Sequence, residues 1–549
     1  MLDELISKHR RAPTDGAVLL ELSNLFIERG LHGDNVQLLE SFRCQNSYIE
    51  RLLRNLAISY TKLFRPWDAE RVLASVVSSG TVSLETLTAW ADLKQHLDKP
   101  QEVVQFLSPV IESNPECASL LYFYSKALAQ ISPSKAVSPA IAACRLEPTN
   151  KRYLGLVFDC YLMTGDECGA LEFMSWALEH NKHEPMLHLL RVEERIFSSS
   201  EIDSDAVEAM KQIEHDFDLE TKMQFYALLS RYYEKEDDYK NAAKFFHRAS
   251  SLIDSKVASE PVVEQVESTV EYMKRCYPEY ASKQNSAGYR GDKKHVFVVG
   301  MPRSGSTLLE KVVTAHSKVD SVGEKNFLTN VSNGYRARTA TATEAHFIDY
   351  SSYPKWPIEM PKSAFERGRH YSTQVASLCE SDVIIDKMPA NLFYIGFVND
   401  FIPDSKVIYT RRHPVAACLS AYRLFFEEGH LWTYNLRTLG RYYRASLSMM
   451  QYWKALYPNM IAEVKYEDLV LSFESESRRL IEFLDLEWEQ GVIDFSSRVG
   501  TVRTASSMQV RRPVYKTSLF QWEKYKPFLS ELYDEIGDLI EEYEDELGY

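Results

Sequence analysis

Positive charge is scarce in this chain: 63 Lys and Arg stand against 78 Asp and Glu, a formal net charge of −15. A surface built to follow a nucleic-acid backbone or an anionic membrane needs the opposite balance, so neither is expected as a partner. An anionic small ligand must instead find cations concentrated locally. Paired cysteines are lacking too. The eight cysteines, at 44, 117, 144, 160, 168, 276, 379 and 418, show no Cys-x-x-Cys spacing and no dense cluster. That argues against structural zinc and suits free thiols in a reducing compartment. No stretch offers 18 consecutive apolar residues, and the start, MLDELISKHRRAP, has no apolar run ahead of a small-residue cleavage site. The expectation is a soluble, cytoplasmic protein with no membrane span and no metal.

What is present is ordinary for packed protein: 549 residues, 45% hydrophobic, 26% charged and 12% aromatic. This length exceeds the roughly 100–200 residues of one domain, so two or more domains are expected. In the first half, a small residue recurs at a fixed interval inside what reads as the second helix of a helix-turn-helix unit. The slots are Asn35, Ala69, Val103, Ala136, Ala170, Ala206 and Ala242, with spacings of 34, 34, 33, 34, 36 and 36. A second small or apolar marker follows seven positions later at Ala177, Ala143, Val110 and Ala249. Small residues let paired helices approach closely, while Leu156, Tyr161 and Phe173 fill the space between neighbours. The pattern resembles tetratricopeptide (TPR) proteins. It implies an all-α solenoid of about seven repeats over 1–280, with a groove for a protein partner or a face for self-association. His180, His183 and His188 read as solvated helix histidines, because no carboxylate or cysteine completes a metal site.

After Tyr277 the segment ASKQNSAGYRGDKK breaks the helical period, and 281–292 reads as a linker. Beyond it, HVFVVG is a short β-branched run of the kind that forms buried parallel strands. It leads into Gly300-MPRS-Gly305-Ser-Thr and then LLEKVVTAH, the order strand, glycine loop, helix. Such a loop turns backbone N–H groups and the positive helix end toward an anion. A nucleotide-hydrolysing loop would carry Lys where Ser306 stands. Arg303 supplies a forked cation in its place.

PRSGST at 302–307 resembles the 5'-phosphosulfate loop of the sulfotransferase family. The resemblance implies that Arg303, Ser304, Gly305, Ser306 and Thr307 hold the 5' end of 3'-phosphoadenylyl sulfate (PAPS), the sulfuryl donor. KVIYT-RRHPVAACLSAYR at 406–423 resembles the family's 3'-phosphate motif, which implies a role for Arg412 and for Ser420 eight residues later. Arg411 reads as a solvated neighbour and His413 as a loop histidine. VKYEDLV at 464–470 resembles a strand whose tyrosine, Tyr466, meets the nucleotide. RTASSMQVRRPVYKTSLFQW at 503–522 resembles a late donor-binding loop with Ser506 and Arg511, although Gln521 stands where tyrosylprotein sulfotransferases have Lys.

Sulfuryl transfer needs a base at the acceptor and cations at the leaving phosphate. A second strand ending at Gly323 delivers Glu324 to the same strand-end edge as the loop, where open α/β sheets bind ligands. The resemblance places the catalytic carboxylate there. It also places a leaving-group Lys at Lys387, in VIIDKMPANLFY, beside Arg303. Asp386 reads as the group that orients Lys387, although VIID also resembles the metal-binding strand of NTPases.

The whole resembles a TPR-repeat sulfotransferase related to tyrosylprotein sulfotransferases. That implies a three-layer α/β P-loop domain with a central parallel sheet over 293–549. Asn326, where those enzymes carry Arg, leaves the acceptor open among peptide tyrosine, carbohydrate and small-molecule hydroxyls. Two other readings stand beside it: a TPR scaffold with a decayed enzyme domain, and a P-loop kinase or NTPase.

Overall fold

A computed structural model describes residues 2–548 except 41–47, 63–65, 78–81, 98, 181–210, 212–213, 258, 284–287, 326, 329–330, 332–363, 425–429 and 496–518. The described residues divide into two compact units, one from the first 187 residues and one from 188 onward.

The first unit is helical. After Leu2–Arg11 come pairs: Gly16–Glu28 with His32–Glu40, Ile49–Lys62 with Pro66–Val77, Leu84–His96 with Pro100–Ser113, Ala118–Ile131 with Pro133–Leu146, and Lys151–Thr164 with Glu167–His180. Proline opens three of the second helices, at Pro66, Pro100 and Pro133, where its missing N–H has no intrahelical partner to lose. The slots Asn35, Ala69, Val103, Ala136 and Ala170 each fall on the fourth residue of a second helix, as does Ala242 in Tyr239–Val257. All but Ala170 are fully buried. Ala206 lies outside the described residues. Asn35 is tolerated in a slot that otherwise takes Ala or Val because its amide donates to Ser59 Oγ at 2.8 Å and reaches the Asn55 carbonyl at 3.4 Å. Phe173 and Tyr161 pack together with centroids 6.4 Å apart.

The second unit holds a five-stranded parallel sheet in the order β2-β3-β1-β4-β5. The strands are β1 Lys294–Gly300, β2 Val319–Gly323, β3 Val383–Lys387, β4 Lys406–Arg411 and β5 Ile461–Lys465. Side chains alternate between its faces. Val296, Val298, Ile385, Ile408 and Val464 pack against the helices Ser306–Thr314 and Phe473–Phe483. Phe297, Val299, Ile384, Val407 and Tyr409 belong to the larger core on the other face. Fully burying a side chain of this size contributes about 1.5–3 kcal/mol.

Three helices complete that larger core, two from outside the strand-rich segment and one from between β4 and β5. Val263, Val266, Val270, Met273 and Tyr277 of Ser259–Lys283 enter it, as do residues of Leu436–Leu456 and of Ser530–Leu547. The acidic C-terminal segment docks through Leu532, Ile536, Ile540 and Tyr543, a helical stripe. The helices of 219–283 therefore share a core with the sheet, and the compact unit begins before the 281–292 segment. Among the described residues, no helix is long and apolar enough to cross a membrane.

Candidate active site

The carboxyl ends of all five strands lie along one edge of the sheet, and β1 sits between β3 and β4. The chain crosses from one side of β1 to the other between β3 and β4, which makes this edge the switch point where parallel sheets take ligands.

The loop after β1 is shaped by three backbone positions. At Gly300 a Cβ would lie 2.4 Å from the Thr410 carbonyl oxygen, so only glycine lets β4 come this close. Arg303 and Gly305 both adopt left-handed φ, at 70° and 98°. A non-glycine residue held there costs about 1–2 kcal/mol. Strain of this kind clusters at ligand sites. Turns that alternate handedness direct successive N–H groups into one concavity, and the helix Ser306–Thr314 starts at it. Ser306 and Thr307 form its buried first turn. Ser304 is committed within the loop: its hydroxyl lies 2.7 Å from the Met301 carbonyl and 2.6 Å from Thr410 Oγ1.

On the β4 side, Arg303, Arg412, Ser420 and Tyr466 come together. Arg303 Nε donates to Ser420 Oγ at 3.0 Å. Arg412 Nη1 donates to the Arg303 carbonyl at 3.4 Å, and its guanidinium lies 4.7 Å from the centre of the Tyr466 ring. Tyr466 opens the short helix Tyr466–Leu471 directly after β5 instead of continuing the strand. A Cβ on residue 305 would sit 2.5 Å from that ring, so glycine is what lets Tyr466 approach the loop.

Arg411 is not the solvated neighbour expected from the sequence. Only 7% exposed, it donates to Glu463 at 2.8 Å and to Glu546 at 2.9 Å, and it lies over Tyr543. The reason is strand alternation: Arg411 and Arg412 leave the end of β4 in opposite directions, and Arg411 meets the C-terminal helix. His413 is likewise more than a loop residue. Its ring stacks on Trp522 with centroids 4.0 Å apart and lies 3.2 Å from Glu544. Its backbone N–H donates to Glu467 at 2.9 Å, and the other oxygen of Glu467 accepts from Tyr543 at 2.7 Å. Burial pushes the His413 pKa down.

On the β3 side, Lys387 ends its strand with no exposure at all. Its ammonium donates to Glu324 and lies 3.5 Å from Glu310. The meeting depends on a register shift. Ser321 pairs with Ile385, but Gly323 pairs with Asp386, so one residue of β2 bulges out and Glu324 comes level with Lys387. Glu324 stays 41% exposed, open to an incoming molecule. Glu310, on the glycine-loop helix, also accepts from Ser321 Oγ at 2.5 Å.

Asp386 does not orient Lys387. It points to the opposite face, where Tyr371 donates to it at 2.8 Å and Asn391 at 3.2 Å. Burial pushes its carboxyl up to about 7, against the pull of those two bonds. The cause is again the strand period: consecutive residues cannot share a face.

Ser506, Arg511 and Asn326 lie outside the described residues. Gln521 is exposed at the start of the segment Gln521–Phe528. Among the described residues, no group of three or more His, Cys, Asp or Glu could hold a metal. Glu310, Glu467 and Thr410 escaped the sequence reading. A signal existed for Glu310, which lies four residues from Ser306 and so on the same helix face.

Residues 295–490 match the family model described as Sulfotransferase family, so the second unit carries a sulfotransferase domain. An uncharacterized protein of Aquifex aeolicus is 28% identical over 325 residues, covering 58% of this chain and 42% of that protein. The protein-tyrosine sulfotransferase A of Caenorhabditis elegans is 22% identical over 257 residues, covering 45% of this chain and 65% of that protein. The chain thus spans less than two thirds of either relative. Among solved structures, the sulfotransferase domain of the Synechococcus PCC 7002 olefin synthase is 18% identical over 44% of this chain and 90% of its own, with a TM-score of 0.33.

Proposed function

From a sulfotransferase domain over residues 295–490, we propose that the protein transfers the sulfuryl group of PAPS to an acceptor hydroxyl. The observation that carries this reading is the 3.0 Å contact between Arg303 and Ser420, which joins two anion-binding motifs 117 residues apart in sequence. In this reading, the backbone of 303–307 holds the 5'-phosphosulfate while Arg412, Ser420 and Tyr466 hold the 3'-phosphate end. Ser506 and Arg511 complete the donor site.

The acceptor oxygen attacks sulfur in line. An oxygen–sulfur bond forms to the acceptor, and the bond from sulfur to the 5'-phosphate oxygen breaks. The acceptor proton passes to Glu324, and Lys387 and Arg303 neutralise the charge developing on the departing oxygen. Adenosine 3',5'-bisphosphate and the sulfated acceptor leave. In the structure Lys387 and Glu324 hold each other. A donor phosphate beside Lys387 competes for the ammonium and releases the carboxylate to act as base.

Peptide tyrosine is the acceptor this reading favours, on the likeness of PRSGST, GE at 323–324 and DKMP at 386–389 to tyrosylprotein sulfotransferases. The helical repeats serve to present the acceptor or a partner protein. A cytoplasmic setting fits the described cysteines, all of them free thiols.

The kinase reading meets two obstacles: Ser306 stands in the lysine position, and the Asp386 carboxyl is bonded to Tyr371 and Asn391 away from the loop. Adenosine 3',5'-bisphosphate should raise the melting temperature of the purified protein. No shift at millimolar ligand would overturn the donor assignment. Incubation with radiolabelled PAPS and fractionated extract then reads the acceptor class, because label enters protein, glycan or small molecules. Label in no fraction would favour a decayed domain.

A further inference from the structure

The helices Leu219–Lys235 and Tyr239–Val257 carry the Ala242 repeat slot, and two of their polar side chains, Glu234 and His247, bond to segments packed around the sheet. Glu234 receives both terminal nitrogens of Arg423, Nη1 to Oε1 at 2.9 Å and Nη2 to Oε2. Arg423 also lies 5.0 Å from the centre of the Tyr525 ring. His247 meets the Tyr422 hydroxyl through Nδ1 at 2.9 Å and the Phe528 carbonyl through Nε2 at 3.0 Å. A carbonyl can only accept, so Nε2 carries the proton and Nδ1 accepts from Tyr422. Burial lowers the His247 pKa, in keeping with a neutral ring. Phe246 packs edge-on against the Tyr422 ring at 5.4 Å.

Tyr422 and Arg423 end the helix Pro414–Tyr422, whose Ser420 accepts from Arg303. Apolar packing alone holds a helix against its neighbours but resists rotation about its axis poorly. Directional bonds at two successive residues, which leave a helix about 100° apart, hold it against rotation. The stakes are set by geometry: a turn of about 20° moves a side-chain oxygen roughly 5 Å from the axis by about 2 Å. A misplacement of that size is enough to lose a charge-assisted contact.

We propose that this last helix pair is a positioning element for the donor's 3'-phosphate, with Glu234 and His247 holding the Ser420 helix in register with Arg303 and Arg412. The proposal rests on the PAPS reading above. It gives one repeat-type unit a role inside the catalytic unit rather than in partner capture.

The test is calorimetric titration of the full chain with adenosine 3',5'-bisphosphate and with adenosine 5'-monophosphate, which lacks the 3'-phosphate. The wild type binds the bisphosphate more tightly. The variant Glu234→Gln/Tyr422→Phe loses about fivefold in bisphosphate affinity while monophosphate affinity stays within about twofold. The donor KM rises in proportion and kcat at saturation is kept. Equal weakening of both ligands, or no weakening, overturns the positioning role and leaves the PAPS reading standing. A wild type that does not distinguish the two ligands overturns the PAPS reading, and the positioning role falls with it. If the double variant melts early, Tyr422→Phe alone, which keeps the ring against Phe246, is read by the same criterion.

Discussion

On the β3 side of β1 the buried ammonium of Lys387 sits between the carboxylates of Glu310 and Glu324. On the β4 side the contacts of Arg303 and Arg412 include a hydroxyl, a carbonyl and a tyrosine ring. A lysine bridging carboxylates is suited to hand charge from one partner to another during a reaction. A guanidinium is a permanently charged, forked donor suited to an anion. In the proposed reading, one strand separates the carboxylate and ammonium that serve proton and leaving-group chemistry from the Arg412 and Ser420 end that serves binding. Cations stand on both sides, an ammonium between two carboxylates on one and forked guanidiniums on the other.

The largest expected effect breaks the β3 side alone. Glu324→Gln should lower kcat by about 10²–10⁴ while leaving the donor KM within about threefold. Initial rates over a donor series check this, and an equal rise in KM would merge the two sites into one. Next, Arg412→Ala should raise the donor KM and weaken adenosine 3',5'-bisphosphate by about 10- to 100-fold, with kcat at saturation largely kept. A fall in kcat with intact binding would reverse the assignment of the two sides.

A smaller effect is expected from Gly305→Ala, which places a Cβ 2.5 Å from Tyr466 in a left-handed backbone. A cost of about 1–3 kcal/mol should appear as a lower melting temperature and weaker donor binding. An unchanged melting curve would show that the ring moves freely.

The last prediction concerns Asp386, which sits next to Lys387 yet on the other face. Its carboxyl is raised from 3.8 to about 7 in the folded protein, so the folded state holds a proton that the unfolded state has released. Its contribution therefore destabilises the fold progressively as pH climbs from about 4 through 7. Asp386→Asn removes that slope, and the melting temperature should fall less between pH 5 and pH 8 than in the wild type. An identical slope in both proteins would place the titration elsewhere.

Much of the candidate site was legible because anion-binding loops need particular residues at strand ends, and those residues stand close together in sequence. Arg303 was read from the loop this way and Arg412 and Ser420 from the family resemblance, and the structure brings them into contact. Asp386 was misread because adjacency in sequence is not adjacency across a strand. Arg411 was misread because nothing nearby announces a helix arriving from residues 530–547. The repeats were legible for a similar local reason. Close helix approach demands a small or bonded residue at one position per unit, and Asn35 fits with its amide nitrogen bonded to Ser59 and to the Asn55 carbonyl.

The order of elements, the slot residues and the loop chemistry were set by local rules: the helical and strand periods, glycine where the backbone must turn left-handed, and cations where an anion is to sit. The tertiary structure alone decided three things. A bulge in β2 brings Glu324 level with Lys387. The helix carrying Glu310 supplies the second carboxylate. The helices of 219–283 join the sheet's core instead of standing apart from it. In each case the deciding contact joins segments remote in sequence, and which apolar face covers which, or which carboxylate reaches a buried ammonium, is chosen by burial across the whole unit.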